Sequence, residues 1–228
     1  MTDISLDERM QCVPLGDASL LIEVDSEINS TTTRKVMRLA EALSRHRLPG
    51  VYDIVPAFTT VGVHFDPVQV GGHDPFGRVE TWVQQTEFDA ESTRVEEVRS
   101  WEIPVIYGGE AGPDLEAWAR HVGMSPAEAV GLHCDTVFTV GAVGFSPGFP
   151  YLLGLPEQLM MPRRATPRVA VPAGSVAIGG RFTGIYPSTT PGGWNLIGQT
   201  TDVFFNARAE PPARLRVGDQ VRFLKVTI

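Results

Sequence analysis

The chain has 228 residues, 43% of them hydrophobic and 20% charged, with a net charge of −8. That is enough chain for one large domain or two modest ones, in the composition of an ordinary soluble globular protein. No apolar run approaches the roughly 18 residues that span a bilayer, and an acidic whole argues against nucleic acid as the main partner.

The chain opens on MTDISLDERMQ, which is acidic and polar and lacks the basic and apolar regions of a signal peptide. A cytoplasmic enzyme, or one component of such an enzyme, is therefore expected. SLLIEV places Leu20, Ile22 and Val24 at period two, the signature of a half-buried strand. In the following DSEINSTTTRKVMRLAEALSRHRLPG, Val36, Leu39, Ala40 and Leu43 share one helical face, and Leu48-Pro49-Gly50 ends the element. VYDIVPAF and TTVGVHF read as two more strands. DPFGRVETWVQQTEF reads as a helix with Phe76, Val79 and Val83 on one side. This order suggests a small α+β sandwich, with helices on one face of a mostly antiparallel sheet.

From about residue 88 the polar DAESTRVEEVRS reads as a linker, so a first domain over residues 1–92 and a second over 93–228 are expected. Two short helices open the second. GPDLEAWARHVG begins with proline and acids and stops at Gly123. SPAEAVGLH carries Ser125 as N-cap, Pro126 at the first helical position and Glu128 in capping-box register. Beyond Val137 the chain breaks into short apolar runs separated by Gly and Pro: VFTVGAVGF, VAVPAGSVAIGG, FTGIYP, WNLIGQT, VFFNA and QVRFLKVTI. Such spacing points to a compact, mainly-β barrel.

Gly144-Phe145-Ser146-Pro147-Gly148 matches the G-x-S-x-G spelling of a serine-hydrolase elbow. Three features argue against a nucleophile. Prolines occupy the place of the helix that should follow. The residue after the serine is Pro147, which has no N–H for an oxyanion hole. All five histidines precede the serine. Phosphate-loop, dinucleotide-binding and H-E-x-x-H motifs are missing too. Cys12 and Cys134 match no metal or redox spacing and read as free thiols. His133 has no further ligands at useful spacing and reads as a hydrogen-bonded histidine near a helix end rather than a metal ligand.

Charge is unevenly spread, with 22 acids against 10 bases through residue 134 and 5 against 9 beyond it. Three of those bases, Arg163, Arg164 and Arg168, sit between two Gly- and Pro-rich segments that carry Phe145, Phe149, Tyr186, Gly192, Gly193 and Trp194. Arginine grips a carboxylate or phosphate with a planar fork, glycine lets backbone approach a ligand, and the aromatics suit the walls of a small pocket. Turn chemistry at a barrel rim, with the arginines in solvent, accounts for the same residues.

GFSPGFPYLLGLP, PRRATPRVAVPAGSVAIGG and TGIYPSTTPGGWNLIGQT resemble the family of the 5-oxoprolinase B subunit, also known as allophanate hydrolase subunit 1 or sporulation-kinase inhibitor. The resemblance extends through LGDASLLIEV, IPVIYGGEAGPDLE, GLH and GDQVRF, and so over most of the chain. Phe182 departs from it, standing where many members have glutamine. The resemblance implies an α+β N-terminal domain followed by a mainly-β, cyclophilin-like barrel. It also implies one component of a larger enzyme, working with the C and A subunits of 5-oxoprolinase in the ATP-dependent opening of 5-oxoproline to glutamate. ATP with Mg would act at a site of an unfamiliar kind or at one shared with a partner subunit. On this reading Arg163, Arg164 and Arg168 bind the small anionic substrate. Phe145, Phe149, Tyr186, Gly192, Gly193 and Trp194 line its pocket, and His133 is the candidate for proton transfer or substrate orientation. The same domains resemble the carboxyltransferase part of urea carboxylase, although no biotinyl-lysine motif is present and Lys35 and Lys225 are the only lysines. A third possibility carried by the family is a non-catalytic inhibitor that docks on a histidine kinase.

Overall fold

A computed structural model of the chain describes residues 10–88 and 98–227. They fall into two compact units, one on each side of residues 89–97. The boundary expected between residues 92 and 93 lies outside the described residues.

The first unit contains strands β1 (Gln11–Pro14) and β2 (Ser19–Glu23), helix α1 (Ser30–Arg45), strands β3 (Val51–Ala57) and β4 (Thr60–Phe65), and helices α2 (Pro67–Val70) and α3 (Pro75–Gln85). The strands form one antiparallel sheet in the order β1-β2-β4-β3. Its inward residues, among them Leu20, Ile22, Val61 and Val63, share a core with Val36, Leu39 and Leu43 of α1 and Val79 and Val83 of α3. Each helix starts on a side chain that takes up its free N–H groups. Asn29 accepts from Thr32, Asp66 from Val68 and Asp74 from Gly77.

The second unit begins with β5 (Ser100–Tyr107), α4 (Leu115–His121), α5 (Pro126–Asp135), β6 (Phe138–Val143) and β7 (Pro150–Leu153). It continues through β8 (Arg168–Val171), β9 (Ser175–Gly179), β10 (Phe182–Ile185), β11 (Thr190–Gly192), β12 (Asn195–Gln199) and β13 (Gln220–Lys225). Seven strands close into a barrel in the order β10-β7-β6-β13-β5-β12-β9, while β8 and β11 pair as a separate ribbon. Ile103, Phe138, Leu152, Ile178, Ile197 and Phe223 fill the barrel, and Trp118 of α4 packs on the same core. Closure leaves the barrel strands without a free edge.

One expectation holds and two change. β7 follows Ser146 where a hydrolase elbow would place a helix. β5 is a barrel strand not foreseen from the sequence: Trp101, Ile103, Val105 and Tyr107 alternate, but Pro104 within the run argues against a ladder strand. The run VFFNA forms no strand and makes a single bridge, Phe205 to Ala213. There the chain folds back on itself, with Asn206 N–H donating to Pro212 O and Arg214 N–H to Phe204 O. Among the described residues no helix is long and apolar enough to cross a membrane.

The capping box at α5 forms as the sequence spells it. Ser125 accepts from the Glu128 N–H, and Glu128 Oε2 accepts from the Ser125 N–H at 2.8 Å. Ser125→Ala is expected to destabilise the barrel unit by about 1 kcal/mol, read as a lower urea midpoint. An unchanged midpoint would show the box to be dispensable.

Candidate functional site

The three arginines and the Gly/Pro-rich segments converge on one corner of the barrel unit, where Asp114 ties two of the arginines, Arg164 and Arg168, together. It precedes α4 but makes no side-chain cap to that helix. Its Oδ1 accepts from Arg164 Nη1 at 3.0 Å and from Arg168 Nη2 at 2.8 Å. Its Oδ2 accepts from the Leu196 N–H at 2.7 Å, and its own N–H donates to Leu196 O at 2.9 Å. The carboxylate is buried, so each of these bonds is made in a low-dielectric setting where a charge-assisted contact is strong. Sequence reading passes over Asp114 because a Pro-Asp pair at a helix start looks like an ordinary cap.

Arg163 takes another partner, its guanidinium lying 5.8 Å from the centre of the Trp194 ring. The Arg164 N–H donates to Gly193 O at 2.7 Å, and Arg168 lies opposite Gly192 across the β8–β11 ribbon. Three guanidinium groups against one carboxylate leave this corner positive within a net acidic chain, which favours a bound anion.

Phe149, Tyr186 and Trp194 are buried side by side in a second, smaller core cluster. The rings meet edge to face, Phe149 to Tyr186 at 5.1 Å and Phe149 to Trp194 at 5.4 Å. Phe145 covers them, 5.5 Å from Phe149 and 6.3 Å from Tyr186, yet 62% of its own surface is exposed. It also holds φ at +68°, an uncommon and strained conformation for a bulky residue. Gly192 packs directly against the Tyr186 hydroxyl, leaving no room for a Cβ. Burial pushes the Tyr186 phenol up, while the Trp194 N–H and the Arg163 and Arg168 charges pull against it. Phe182, half-buried, packs on Tyr151.

Two polar atoms here are shielded from solvent and have no hydrogen-bond partner: Arg168 Nη1 and Ser146 Oγ. Leaving such a group unsatisfied costs about 1–3 kcal/mol, so each asks for an explanation. Ser146 adjoins the aromatic group, since its carbonyl accepts the Phe149 N–H at 3.0 Å.

His133 lies elsewhere. It is fully buried in the main barrel core, stacked on Phe223 at 4.7 Å and edge-on to Trp118 at 6.2 Å. Both ring nitrogens are engaged. Thr183 Oγ1 donates to Ala177 O at 3.1 Å, so it accepts from His133 Nε2 at 3.1 Å. The Tyr107 hydroxyl then donates to Nδ1 at 2.8 Å. Burial pushes the His133 pKa down to about 3, so the ring is neutral across the physiological range. The structure thus brings together every sequence-proposed site residue except His133, which it places in a closed hydrogen-bonded setting near the end of α5. Cys12 and Cys134 are free thiols.

Residues 10–215 match the family described as carboxyltransferase domain, subdomain C and D. The chain is 40% identical over 218 residues to the B subunit of 5-oxoprolinase from Escherichia coli O157:H7, covering 95% of this chain and 96% of that one. It is 38% identical over 226 residues to the B subunit of 5-oxoprolinase from Bacillus subtilis (strain 168), covering 96% and 94%. A solved structure, TTHA0988, matches with a TM-score of 0.79 at 35% identity over 92% of this chain, which spans 40% of that protein's length.

Proposed function

The chain belongs to the family of the 5-oxoprolinase B subunit, and on that basis we propose that it is the B subunit of an ATP-dependent 5-oxoprolinase. The enzyme would open 5-oxoproline to L-glutamate together with its C and A subunits. The observation that carries this reading is the end-to-end match to curated B subunits, with more than nine-tenths of both chains aligned. The site geometry supports it. 5-Oxoproline is a small ring acid, and a positive corner beside an aromatic group suits a carboxylate and a flat ring. We read the first unit as an α+β sandwich and the barrel as cyclophilin-like.

In such an enzyme ATP supplies the activation that an unreactive lactam needs before water can attack. The residues here do not fit a Mg-bound nucleotide. Asp114, the carboxylate that ties Arg164 and Arg168 together, is spent on two guanidinium groups and a backbone N–H. Among the described residues no three or more His, Cys, Asp or Glu side chains gather to hold a metal. We therefore assign the nucleotide to a partner chain and the holding of the acid to this one. ATP as cosubstrate makes the cytoplasm the setting.

The test is phosphate release from ATP by this chain mixed with its C and A subunits, with and without 5-oxoproline. Release that rises about tenfold or more with 5-oxoproline and yields glutamate is expected. No response to 5-oxoproline in an assembled complex would overturn the assignment. The family's description favours carboxyl transfer as the second reading. Biotin-dependent turnover on a carrier supplied by another chain would then be the activity to find.

A further inference from the structure

We infer that Arg168 Nη1 and Ser146 Oγ are the two polar anchors of the substrate seat, Arg168 taking the carboxylate of a small ring acid and Ser146 its neutral amide. This deepens the proposed function and rests on it.

The three arginines are not equivalent. Arg164 gives Nη1 to Asp114 with its side chain 36% exposed and its backbone tied to Gly193, and Arg163 lies over Trp194. Arg168 gives Nη2 to Asp114 and keeps Nη1 shielded and unpartnered. The Asp114 bond fixes the plane of the guanidinium, so Nη1 is a pre-aimed cationic donor whose ordering is complete before a ligand arrives. Shielded donors without partners are rare in folded proteins, and a binding role accounts for one that persists.

Ser146 supplies the complementary chemistry. A guanidinium only donates, whereas a hydroxyl both donates and accepts. One anionic acceptor and one neutral polar group on a compact ring is therefore the ligand class that satisfies both atoms. The two border the same aromatic cluster. Ser146 follows Phe145, whose ring meets Tyr186 at 6.3 Å. Arg168 lies opposite Gly192, which packs on the Tyr186 hydroxyl. Phe145 is the exposed cover of that cluster, and its strained backbone marks it as the piece that yields to admit a ring. The Ser146 that fails as a hydrolase nucleophile thus has work as a hydrogen-bonding group.

The complex of this chain with its C and A subunits is the material for the test, and equilibrium dialysis of labelled 5-oxoproline is the readout. Competitors are 5-oxoproline carboxamide, which lacks the charge, and cyclopentanecarboxylate, which lacks the amide. Arg168→Gln is expected to weaken 5-oxoproline about 30-fold and leave the carboxamide unchanged. Ser146→Ala is expected to weaken 5-oxoproline about 5-fold and leave cyclopentanecarboxylate unchanged. Arg164→Gln removes the other arm of the Asp114 pair. It controls for lost stability and should preserve the preference for acid over amide. Equal loss of that preference in the Arg164 and Arg168 variants, or none in either, overturns the inference. A complex that binds cyclopentanecarboxylate through Arg168 but turns over no 5-oxoproline sinks the 5-oxoprolinase reading and leaves the carboxylate seat standing. Binding of neither acid overturns both.

Discussion

Replacing Asp114 with alanine is expected to lower the stability of the barrel unit by about 3 kcal/mol or more and to abolish 5-oxoproline-dependent turnover with it. The carboxylate is buried and accepts from two guanidinium arms and the Leu196 N–H, while the Asp114 backbone N–H donates to Leu196 O. Alanine would leave two cations at one corner without their counter-charge and one buried N–H without an acceptor. Breaking one side of such a pair is costly because the partner stays behind, not because the pair itself contributes so much. Asp114→Asn, which keeps an acceptor and loses the charge, should fall between wild type and alanine. Urea unfolding followed by tryptophan fluorescence reads this directly, since Trp101, Trp118 and Trp194 all lie in the barrel unit. A loss under about 1 kcal/mol in the alanine variant would mean that the arginines behave as exposed surface charges.

His133 gives the second large effect, and it is a dependence on pH. The folded ring is pushed down to about 3 by burial, whereas an unfolded histidine titrates near 6.5. The contribution of the neutral ring is therefore complete above about pH 6.5. As the pH falls below that value the unfolded chain takes up a proton that the folded chain refuses, and stability drops until the folded pKa is reached. The slope is roughly 1 kcal/mol per pH unit over that window. His133→Gln removes this slope whatever it does to the absolute stability, so the difference between the two stability–pH curves isolates the residue. His133→Ala should also destabilise at neutral pH by about 3 kcal/mol, because it opens a cavity and leaves the Tyr107 hydroxyl without its acceptor. Parallel curves for wild type and the glutamine variant between about pH 6.5 and 4 would show that the ring is not held neutral.

These two residues also mark where sequence reading stops. Leu20 and Ile22 on one strand, or Val36, Leu39 and Leu43 on one helix, are legible because their periodicity is local. Ser125 and Glu128 are legible for the same reason, lying three residues apart. The segments around Phe145, Arg168 and Trp194 announce themselves by composition, and the structure brings them together. Which arginine keeps a shielded, unpartnered donor is not legible, because the shared partner lies 50 residues before Arg164 and 54 before Arg168. His133 misleads in the opposite direction. Its spacing reads as a hydrogen-bonded histidine near a helix end, as found, but the resemblance implies proton transfer. The groups that close the ring off come from Tyr107, 26 residues away, and Thr183, 50 away. β5 escapes notice for a local reason, since a proline within the run argues against a ladder strand. Its stretch from Ser100 to Val105 nonetheless finds a neighbour in β13 that one proline cannot forbid.

That pairing has a consequence for how the molecule is made. β5 and β13 run parallel, Ser100 beside Gln220 through Val105 beside Lys225, and they join the earliest barrel strand to the latest. Asp219 fastens the seam, accepting from Arg99 Nε at 2.8 Å and Trp101 Nε1 at 3.0 Å. During translation every strand from β5 to β12 leaves the ribosome before the one that joins β5 to β6. The nascent barrel is an open sheet with two sticky margins until residue 225 has emerged. The first unit has all its strands in hand long before then. Synthesis thus yields a finished front half carrying an unfinished back half, and a chaperone that guards nascent chains would have its longest engagement with the free margins of β5 and β6.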